Sequence, residues 1–294
     1  MIYGMRSIVR YLLGSDIAGR LLAVYPDDTF IVSYPRSGNT WTRFLVANLL
    51  HPGEVVTFAN IERLVPDCEA KSSRYLRSIP RPRVIKSHEY FDHRYPRVIY
   101  VVRDPRDVAL SYYDFERKYR HIPDSYPFEN YITDFVRGRL SSRDWGTWGE
   151  NVGSWISTRM GQESFLLLRY EDMLEDPALA VNRIAAFVGI QPDEARIRSV
   201  LERSSAQRMR QLERGQSNQW VSTRGKRTDI PFIRTAVSGN WRSKLAPDLI
   251  AEIESAWGTL MSTLGYELVS PKPKNGDSVP RYADPPFALS RGHD

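Results

Sequence analysis

The sequence predicts one α/β domain in which helices flank a central parallel β-sheet. Short β-branched apolar runs recur along the chain, and segments with helical spacing follow them. Two of these runs end in loops that lead directly into a helix, as strands of a parallel sheet do. The chain has 294 residues, of which 41% are hydrophobic, so it can bury one large core.

The individual elements follow from apolar patterning and from the residues that end each run. Val and Ile dominate the runs that begin at Thr29 and Val98, as expected for strands buried on both faces. His51-Pro52-Gly53 ends the helical pattern that starts at Thr40. The predicted strands cover 29–33, 83–86, 98–102 and 164–170, and the predicted helices cover 40–49, 106–119, 177–188 and 246–264.

The last third of the chain contains two segments of a different character. Residues 191–238 are polar and charge-rich with weak periodicity, which predicts helices and loops that close over a site. Residues 270–294 hold five prolines and few core-type side chains, so they predict a tail or a surface strap. We therefore expect a domain over 1–270 and a tail over 271–294.

Composition indicates the setting and the kind of ligand. A formal net charge of +6 fits a protein that handles anionic ligands, although a basic surface also serves solubility or loose nucleic-acid contact, and we expect no nucleic-acid partner. Cys68 is the only cysteine and cannot form an internal disulfide, which favours a cytoplasmic location. Charged residues interrupt the apolar N-terminal stretch, so we expect no signal or membrane anchor between residues 1 and 28.

The loop from Tyr34 to Trp41 predicts a phosphate site. It connects a strand to a helix N-terminus, where unpaired backbone N–H groups and the helix dipole favour an anion. A nucleoside-triphosphatase loop, G-x-x-x-x-G-K-[ST], can be aligned with residues 33–40, but Ser33 replaces its first glycine and Asn39 replaces its lysine. The loop is therefore better suited to a less highly charged phosphate group.

The same loop, Tyr-Pro-Arg-Ser-Gly-Asn-Thr-Trp, resembles the 5′-phosphosulfate loop of the cytosolic sulfotransferase family, with six of eight residues matching Tyr-Pro-Lys-Ser-Gly-Thr-Thr-Trp. The resemblance identifies the chain as a divergent, bacterial-like member. It implies a P-loop-like strand–loop–helix site in which Ser37, Gly38, Asn39 and Thr40 bind the 5′-phosphate and Trp41 stacks on adenine. Arg36 stands where the family has a lysine that stabilises the leaving phosphate, and arginine keeps the charge without the compact geometry of an ammonium.

The segment Lys86-Ser87-His88 resembles the family's Lys-x-His element, which makes His88 the expected general base and Lys86 a stabiliser of the transferred group. A neutral imidazole can take the proton of the attacking acceptor near physiological pH. A zinc interpretation of His88 and His93 fails because the two histidines are five residues apart, whereas H-E-x-x-H requires four.

Residues 97–113 resemble the family's 3′-phosphate site, and the resemblance assigns that phosphate to Arg103 and Ser111. A guanidinium at a strand end and a hydroxyl two turns into the next helix can converge on one phosphate. A rival interpretation has Asp104 hold Mg²⁺ as in nucleotide-dependent kinases, but it needs the triphosphate loop that residues 33–40 lack.

Three later positions resemble further nucleotide contacts of the family. Tyr170 belongs to a Tyr-Glu-Asp element that reaches adenine, Ser204 takes the threonine position of an adenine-covering element, and Arg234 belongs to the loop that closes over the 3′-phosphate. Ala206 replaces an aromatic residue of the family, and Thr235 and Ala236 replace its lysine and glycine, so these elements are less complete than the first loop.

The predicted activity is transfer of a sulfuryl group from 3′-phosphoadenosine 5′-phosphosulfate (PAPS) to a hydroxyl or amine by in-line displacement, with no metal. The acceptor is left open among small molecules, lipids and sugars, because acceptor pockets are built from loops that no motif fixes. Segments 54–80 and 114–160 are candidate walls of that pocket. An inactive nucleotide-binding relative and a kinase are the alternatives, and the oligomeric state is also left open.

Overall fold

Four parallel strands form the sheet at the centre of the computed structural model, which describes residues 17–140, 145–234 and 236–271. The strands are β1 (Thr29–Ser33), β2 (Val84–Ser87), β3 (Arg97–Val102) and β4 (Phe165–Arg169), in the spatial order β2-β1-β3-β4. All three pairings are parallel, and β1 lies between β2 and β3 with Thr29 opposite both Val84 and Arg97. The predicted α/β fold with a parallel sheet is therefore confirmed.

Helices cover both faces of this sheet. In chain order they are α1 (Asn39–Leu50), α2 (Ile61–Leu64), α3 (Ser73–Ser78), α4 (Pro105–Lys118), α5 (Phe128–Val136), α6 (Trp148–Arg159), α7 (Tyr170–Glu175), α8 (Pro177–Val188), α9 (Glu194–Arg203), α10 (Ala206–Gln216), α11 (Trp241–Lys244) and α12 (Pro247–Thr263). A single 3₁₀ turn, Gly19–Leu21, precedes β1. The predicted strand over 29–33 and the predicted helix over 177–188 match β1 and α8, and the other predicted elements shift by one or two residues at their ends.

The core divides into two layers because successive side chains of a strand point to opposite faces. Phe30 and Val32 of β1 join a cluster with buried side chains of α4, α5, α6 and α12. Ile31 points the other way and packs with α1, α8 and α9. Every residue of β1 is buried, which accounts for its continuous apolar run.

The strand order places a crevice at the carboxyl ends of β1 and β3. From β1 the chain passes through α1 to β2 on one side, and then crosses to β3 on the other side. Ligands of open α/β sheets bind at such a reversal of strand order, outside the carboxyl ends of the strands. The loops that begin at Tyr34 and Arg103 both start there.

Both ends of the chain lie largely outside the described residues, which begin at 17 and end at 271, so the prediction of no anchor over residues 1–28 stays a prediction. No helix in the described ranges has the length and apolar character needed to span a bilayer. The tail over 271–294 lies almost wholly outside the described residues, so the division at 270 stays a prediction. Within 191–238 the structure has α9 and α10 followed by irregular chain, as the weak periodicity predicted.

Candidate active site

The loop between β1 and α1 owes its shape to two residues with positive φ. Gly38 caps α1 with φ of 103°, and Arg36 has φ of 69°, which is unusual for a residue with a side chain. A Cβ at Gly38 would lie 2.6 Å from Cδ2 of Tyr170, so only glycine lets the loop approach this ring. The loop thus presents the N-terminal turn of α1 toward the crevice, where its free N–H groups can bind an anion.

The polar side chains of this loop divide between the crevice and the interior. Thr40 and Trp41 line the crevice. Asn39 is buried, and its amide donates back to the carbonyl of Ile31 at 3.3 Å and to Oγ of Ser33 at 3.2 Å. Ser37 is fully buried, and its hydroxyl has no hydrogen-bond partner among the described residues. The backbone N–H of Ser37 donates to the carbonyl oxygen of Tyr34 at 3.3 Å, so an anion at this loop would meet chiefly the backbone N–H groups at the start of α1.

Arg36 reaches across the crevice to α4 and to the segment before α11. Its Nε donates to Oγ of Ser111 at 3.1 Å, and its Nη2 donates to the carbonyl oxygen of Phe232 at 3.0 Å. Its guanidinium carbon lies 4.5 Å from the ring centroid of Phe232, a cation–π contact. Burial, together with the charges of Arg234 and Arg103, lowers the pKa of Arg36 to about 10. It remains a cation at neutral pH, and no carboxylate among the described residues forms an ion pair with it.

His88 follows β2 and lies in the same crevice, beside the end of β1. Its Nδ1 is 2.7 Å from the carbonyl oxygen of Ser33. A carbonyl can only accept, so Nδ1 carries the proton and Nε2 keeps its lone pair. Burial, with Lys86 nearby, lowers the pKa of His88 to about 3, so the imidazole is neutral near pH 7. These are the tautomer and charge that a general base needs.

The ammonium of Lys86 is less available to a ligand in the crevice than the sequence suggested. Its ammonium lies between two carboxylates, 3.0 Å from Oδ2 of Asp67 and 2.9 Å from Oε2 of Glu69. Burial disfavours the charged form, but Asp67 and Glu69 outweigh it and raise the pKa of Lys86. Glu69 also accepts a hydrogen bond from the backbone N–H of His88. Lys86 is therefore a buried cation that fixes the end of β2, and its two partners could not be predicted from the sequence.

Arg103 and Ser111 approach the crevice from β3 and α4, and Arg103 lies over Tyr170. The guanidinium carbon of Arg103 is 4.5 Å from the Tyr170 ring centroid, and its Nη1 donates to the carbonyl of Arg36 at 3.3 Å. Its buried Nε has no hydrogen-bond partner in the described part of the chain. Trp41 meets Tyr170 edge to face with ring centroids 5.9 Å apart. Arg103, Ser111, Trp41 and Tyr170 all line the crevice, and the Nε of Arg103 is a donor that suits an anionic ligand.

The two remaining predicted contacts differ. Arg234 lines the crevice, and it is held by Asp114, whose Oδ2 lies 3.0 Å from its Nη2. Ser204 does not reach the crevice: it is fully buried at the end of α9 and accepts a hydrogen bond from Asn48 at 3.1 Å. The next residue, Ser205, lines the crevice instead. The structure therefore places Ser205, one position further along the chain, at the crevice in place of Ser204.

The crevice opens into one cavity of about 680 Å³. Beside His88 its wall is aromatic, and Trp145 meets the imidazole edge to face at 6.2 Å. Further aromatic residues line the rest of the cavity: Tyr112, Phe115, Tyr119, Trp220 and Phe232, of which Phe115 and Tyr119 lie in the predicted wall segment 114–160. Phe58 and Trp148, both in the predicted wall segments, are instead fully buried in the core.

Asp104 does not have the geometry of a magnesium ligand. Its carboxylate caps α4 by accepting from the N–H of Arg106 at 2.9 Å, and it pairs with the Arg106 guanidinium at 2.7 Å. Arg106 also contacts Glu254 at 2.5 Å. Both oxygens of Asp104 thus serve a buried ion pair, which disfavours the kinase interpretation. Across the described ranges, no group of three His, Cys, Asp or Glu side chains is arranged to hold a metal ion.

Comparison with known proteins agrees with this geometry. The curated relatives include sulfotransferase 1C2 of Oryctolagus cuniculus, 27% identical over 233 residues that cover 74% of this chain and 77% of that protein. Sulfotransferase 1B1 of Mus musculus is 25% identical over 278 residues, covering 89% of this chain and 91% of that protein.

Two solved structures share the fold. Mouse sulfotransferase SULT7A1, complexed with PAP, has a TM-score of 0.68 at 21% identity, covering 88% of this chain and 91% of that one. Retinol dehydratase in complex with retinol and PAP also has a TM-score of 0.68, at 22% identity, covering 89% and 88%. The family model of the sulfotransferase domain matches residues 26–265. The chain therefore belongs to the sulfotransferase domain family and is a transferase of sulfuryl groups to small-molecule acceptors.

Proposed function

We propose that this protein transfers a sulfuryl group from PAPS to a hydroxyl or amine of a small acceptor, with His88 as the general base. The observation that carries the proposal is the position of His88. Its Nε2 keeps the lone pair of a neutral imidazole, and four arginines line the same cavity: Arg36, Arg103, Arg234 and Arg43, the last of which is paired with Glu62. A cavity with a neutral base on one side and cations on the other suits an uncharged nucleophile and a highly anionic donor.

The nucleotide is assigned to the end of the cavity near Tyr170. The N-terminal turn of α1 would hold the 5′-phosphate through backbone N–H groups from Ser37 to Thr40. Arg103, with its unpaired Nε, and Ser111 would hold the 3′-phosphate, with Arg234 closing over it. Trp41 and Tyr170 would contact adenine. Ser204 takes no part in this proposal, because its hydroxyl faces Asn48.

Bound PAPS supplies the sulfuryl group on a phosphosulfate whose phosphate is the leaving group. His88 removes the proton of the acceptor through Nε2 while Ser33 holds the imidazole at Nδ1. Arg36, held by Ser111 and the carbonyl oxygen of Phe232, would place a guanidinium where charge develops on the leaving phosphate. Lys86 supports the base through Glu69, which binds the Lys86 ammonium and accepts a hydrogen bond from the backbone N–H of His88.

The acceptor class is proposed from the wall beside His88. Trp145 lies beside His88, and Tyr112, Phe115 and Phe232 line the same cavity, whose aromatic lining suits an apolar or aromatic molecule that carries one hydroxyl or amine. Retinol dehydratase, which shares the fold, was solved with retinol bound. We include a cytoplasmic location in the proposal, because the single cysteine, Cys68, is buried and requires no oxidising compartment.

Calorimetric titration with 3′-phosphoadenosine 5′-phosphate (PAP), adenosine 5′-phosphosulfate and ATP tests the nucleotide. We expect tight binding of PAP alone. Preference for ATP would overturn the proposal in favour of a kinase. Radiolabelled PAPS with 2-naphthol, aliphatic alcohols and amines then tests transfer. Tight PAP binding, with no labelled product and no PAP formed when water is the only acceptor, would identify the protein as an inactive relative.

A further inference from the structure

A segment before α11, residues 227–234, forms part of the cavity wall and is held mainly through its backbone. Phe232, Ile233 and Arg234 line the cavity. The ammonium of Lys118, at the end of α4, donates to the carbonyl oxygens of Arg227 and Ile230 at 2.6 Å each. We call residues 227–234 the covering segment. Its course is thus set by partners on neighbouring helices rather than by secondary structure of its own.

Glu213 of α10 holds the part of the covering segment that faces the cavity. One carboxylate oxygen accepts the N–H of Phe232 at 2.6 Å, and the other accepts the N–H of Ile233 at 2.9 Å. Glu213 is 8% exposed, and Lys118 lies 3.8 Å from it. A buried carboxylate is costly unless several donors compensate it, so two N–H groups on one side chain fix the backbone firmly.

Phe232, whose backbone N–H binds Glu213, also contacts the guanidinium of Arg36. Phe232 offers Arg36 both its carbonyl oxygen, 3.0 Å from Nη2, and the face of its ring, 4.5 Å from the guanidinium carbon. Arg36 itself lies in the left-handed region, so its side chain leaves the loop in a direction that outside contacts must stabilise. Apart from Phe232, its polar contact is Ser111.

We propose that Glu213 is a positioning residue for the reaction: by fixing the backbone of Phe232 it holds the guanidinium of Arg36 in place. This inference rests on the proposed function, in which Arg36 stabilises the leaving phosphate. Glutamine at position 213 keeps the size of the side chain, but its amide nitrogen cannot accept, so one of the two N–H groups loses its partner. The expected consequence is a less ordered Arg36 rather than a lost binding group.

The test compares kcat of the wild type, Glu213→Gln, Arg36→Lys and the double variant, measured as PAP release from PAPS with 2-naphthol and with water alone. Loss of one charged hydrogen bond predicts roughly a tenfold fall in kcat for Glu213→Gln with KM for PAPS nearly unchanged. Lysine at position 36 cannot stack as a planar cation. The Glu213→Gln substitution should therefore have little further effect in the Arg36→Lys background.

Glu254 provides the matched control. It too is a buried carboxylate that accepts successive backbone N–H groups, those of Val269 and Ser270, but it lies outside the cavity. Glu254→Gln should lower the free energy of unfolding in urea and leave kcat unchanged. Equal loss of kcat from Glu213→Gln with either arginine or lysine at position 36, in an active wild type, overturns the role of Glu213 alone. A wild type that releases no PAP overturns the proposed function, and the role of Glu213 with it.

Discussion

The Nδ1 atom of His88 lies 2.7 Å from the backbone carbonyl oxygen of Ser33. This contact connects the end of β1, which starts the phosphate loop, to the loop after β2. It selects the tautomer of the imidazole, because a carbonyl oxygen accepts and never donates. One hydrogen bond therefore fixes both the protonation pattern of the proposed base and its place beside the phosphate loop.

His88→Ala should abolish sulfuryl transfer and leave the affinity for PAP within about twofold. The imidazole takes the acceptor's proton in the proposed mechanism, and general-base catalysis contributes roughly 10²- to 10⁴-fold. In the proposal other groups bind PAP, so an unchanged PAP affinity shows that the nucleotide site of the variant is still folded. Transfer rates and calorimetric titration decide the matter: wild-type turnover in this variant would remove His88 from the mechanism.

The free energy of unfolding should depend on pH through the titration of His88. Its pKa is about 3 in the folded protein and about 6.5 when the chain is unfolded. Between these values the unfolded chain binds a proton that the folded protein does not bind, so the free energy of unfolding rises with pH. The stabilisation is present above about pH 6.5 and is lost as the pH falls toward 3.

Urea unfolding of the wild type and His88→Gln, at several pH values from about 7 down to 4, measures this effect. The stability of the wild type relative to the variant should decline as the pH falls. A difference that stays constant over this range would contradict a depressed pKa for His88.

Gly38→Ala should lower the free energy of unfolding by about 2 kcal/mol or more and weaken PAP binding. The new Cβ would require a left-handed backbone and would lie 2.6 Å from Cδ2 of Tyr170, displacing the ring on which Arg103 lies. Gly53→Ala is the control, since a Cβ there meets nothing within 4 Å. Equal behaviour of the two variants would show that the loop tolerates a side chain at Gly38.

Lys86→Met should destabilise the protein by about 3 kcal/mol, because it leaves the buried carboxylate of Asp67 and the partly exposed carboxylate of Glu69 without their cation. A second substitution, Asp67→Asn, should restore part of that stability by removing one of the uncompensated charges. Urea unfolding of the single and double variants measures both effects. If the double variant is less stable than Lys86→Met, the ion-pair explanation is wrong.

The sequence predicted the sheet and the loops better than it predicted the side-chain partners. The strands could be predicted because β1 and β3 are buried on both faces and leave continuous apolar runs. The partners of Lys86 could not, since Asp67 and Glu69 lie in a stretch without periodicity that meets β2 only in the folded chain. Asn39 looked like a phosphate ligand, but its amide closes the end of the sheet.

The sequence could not show which way Ser204 faces, because this residue lies at a helix boundary. Ser205 caps α10 by accepting from the N–H of Arg208, so it begins one helix while Ser204 ends the other. Either serine fits the pattern of the sequence, and a difference of one residue decides which side chain faces the cavity. The contact of Phe232 with Arg36 could not be predicted, for a related reason. The covering segment is irregular, and the two residues are nearly two hundred positions apart in the sequence.

Arg103→Gln should weaken PAP binding by about 2–4 kcal/mol, roughly 30- to 1,000-fold in Kd, and should leave the affinity for adenosine 5′-phosphate almost unchanged. The reason is that Arg103 is assigned to the 3′-phosphate, which only PAP carries, and its unpaired Nε is a donor that a phosphate would satisfy. Measuring both nucleotides also controls for a structural change at the site. Arg103 lies over Tyr170 and donates to the carbonyl of Arg36, so damage to the loop would weaken both nucleotides. Calorimetry with the two ligands separates the possibilities: a selective loss for PAP assigns the 3′-phosphate to Arg103, whereas an equal loss for both would show that Arg103 acts by supporting Tyr170 and the phosphate loop.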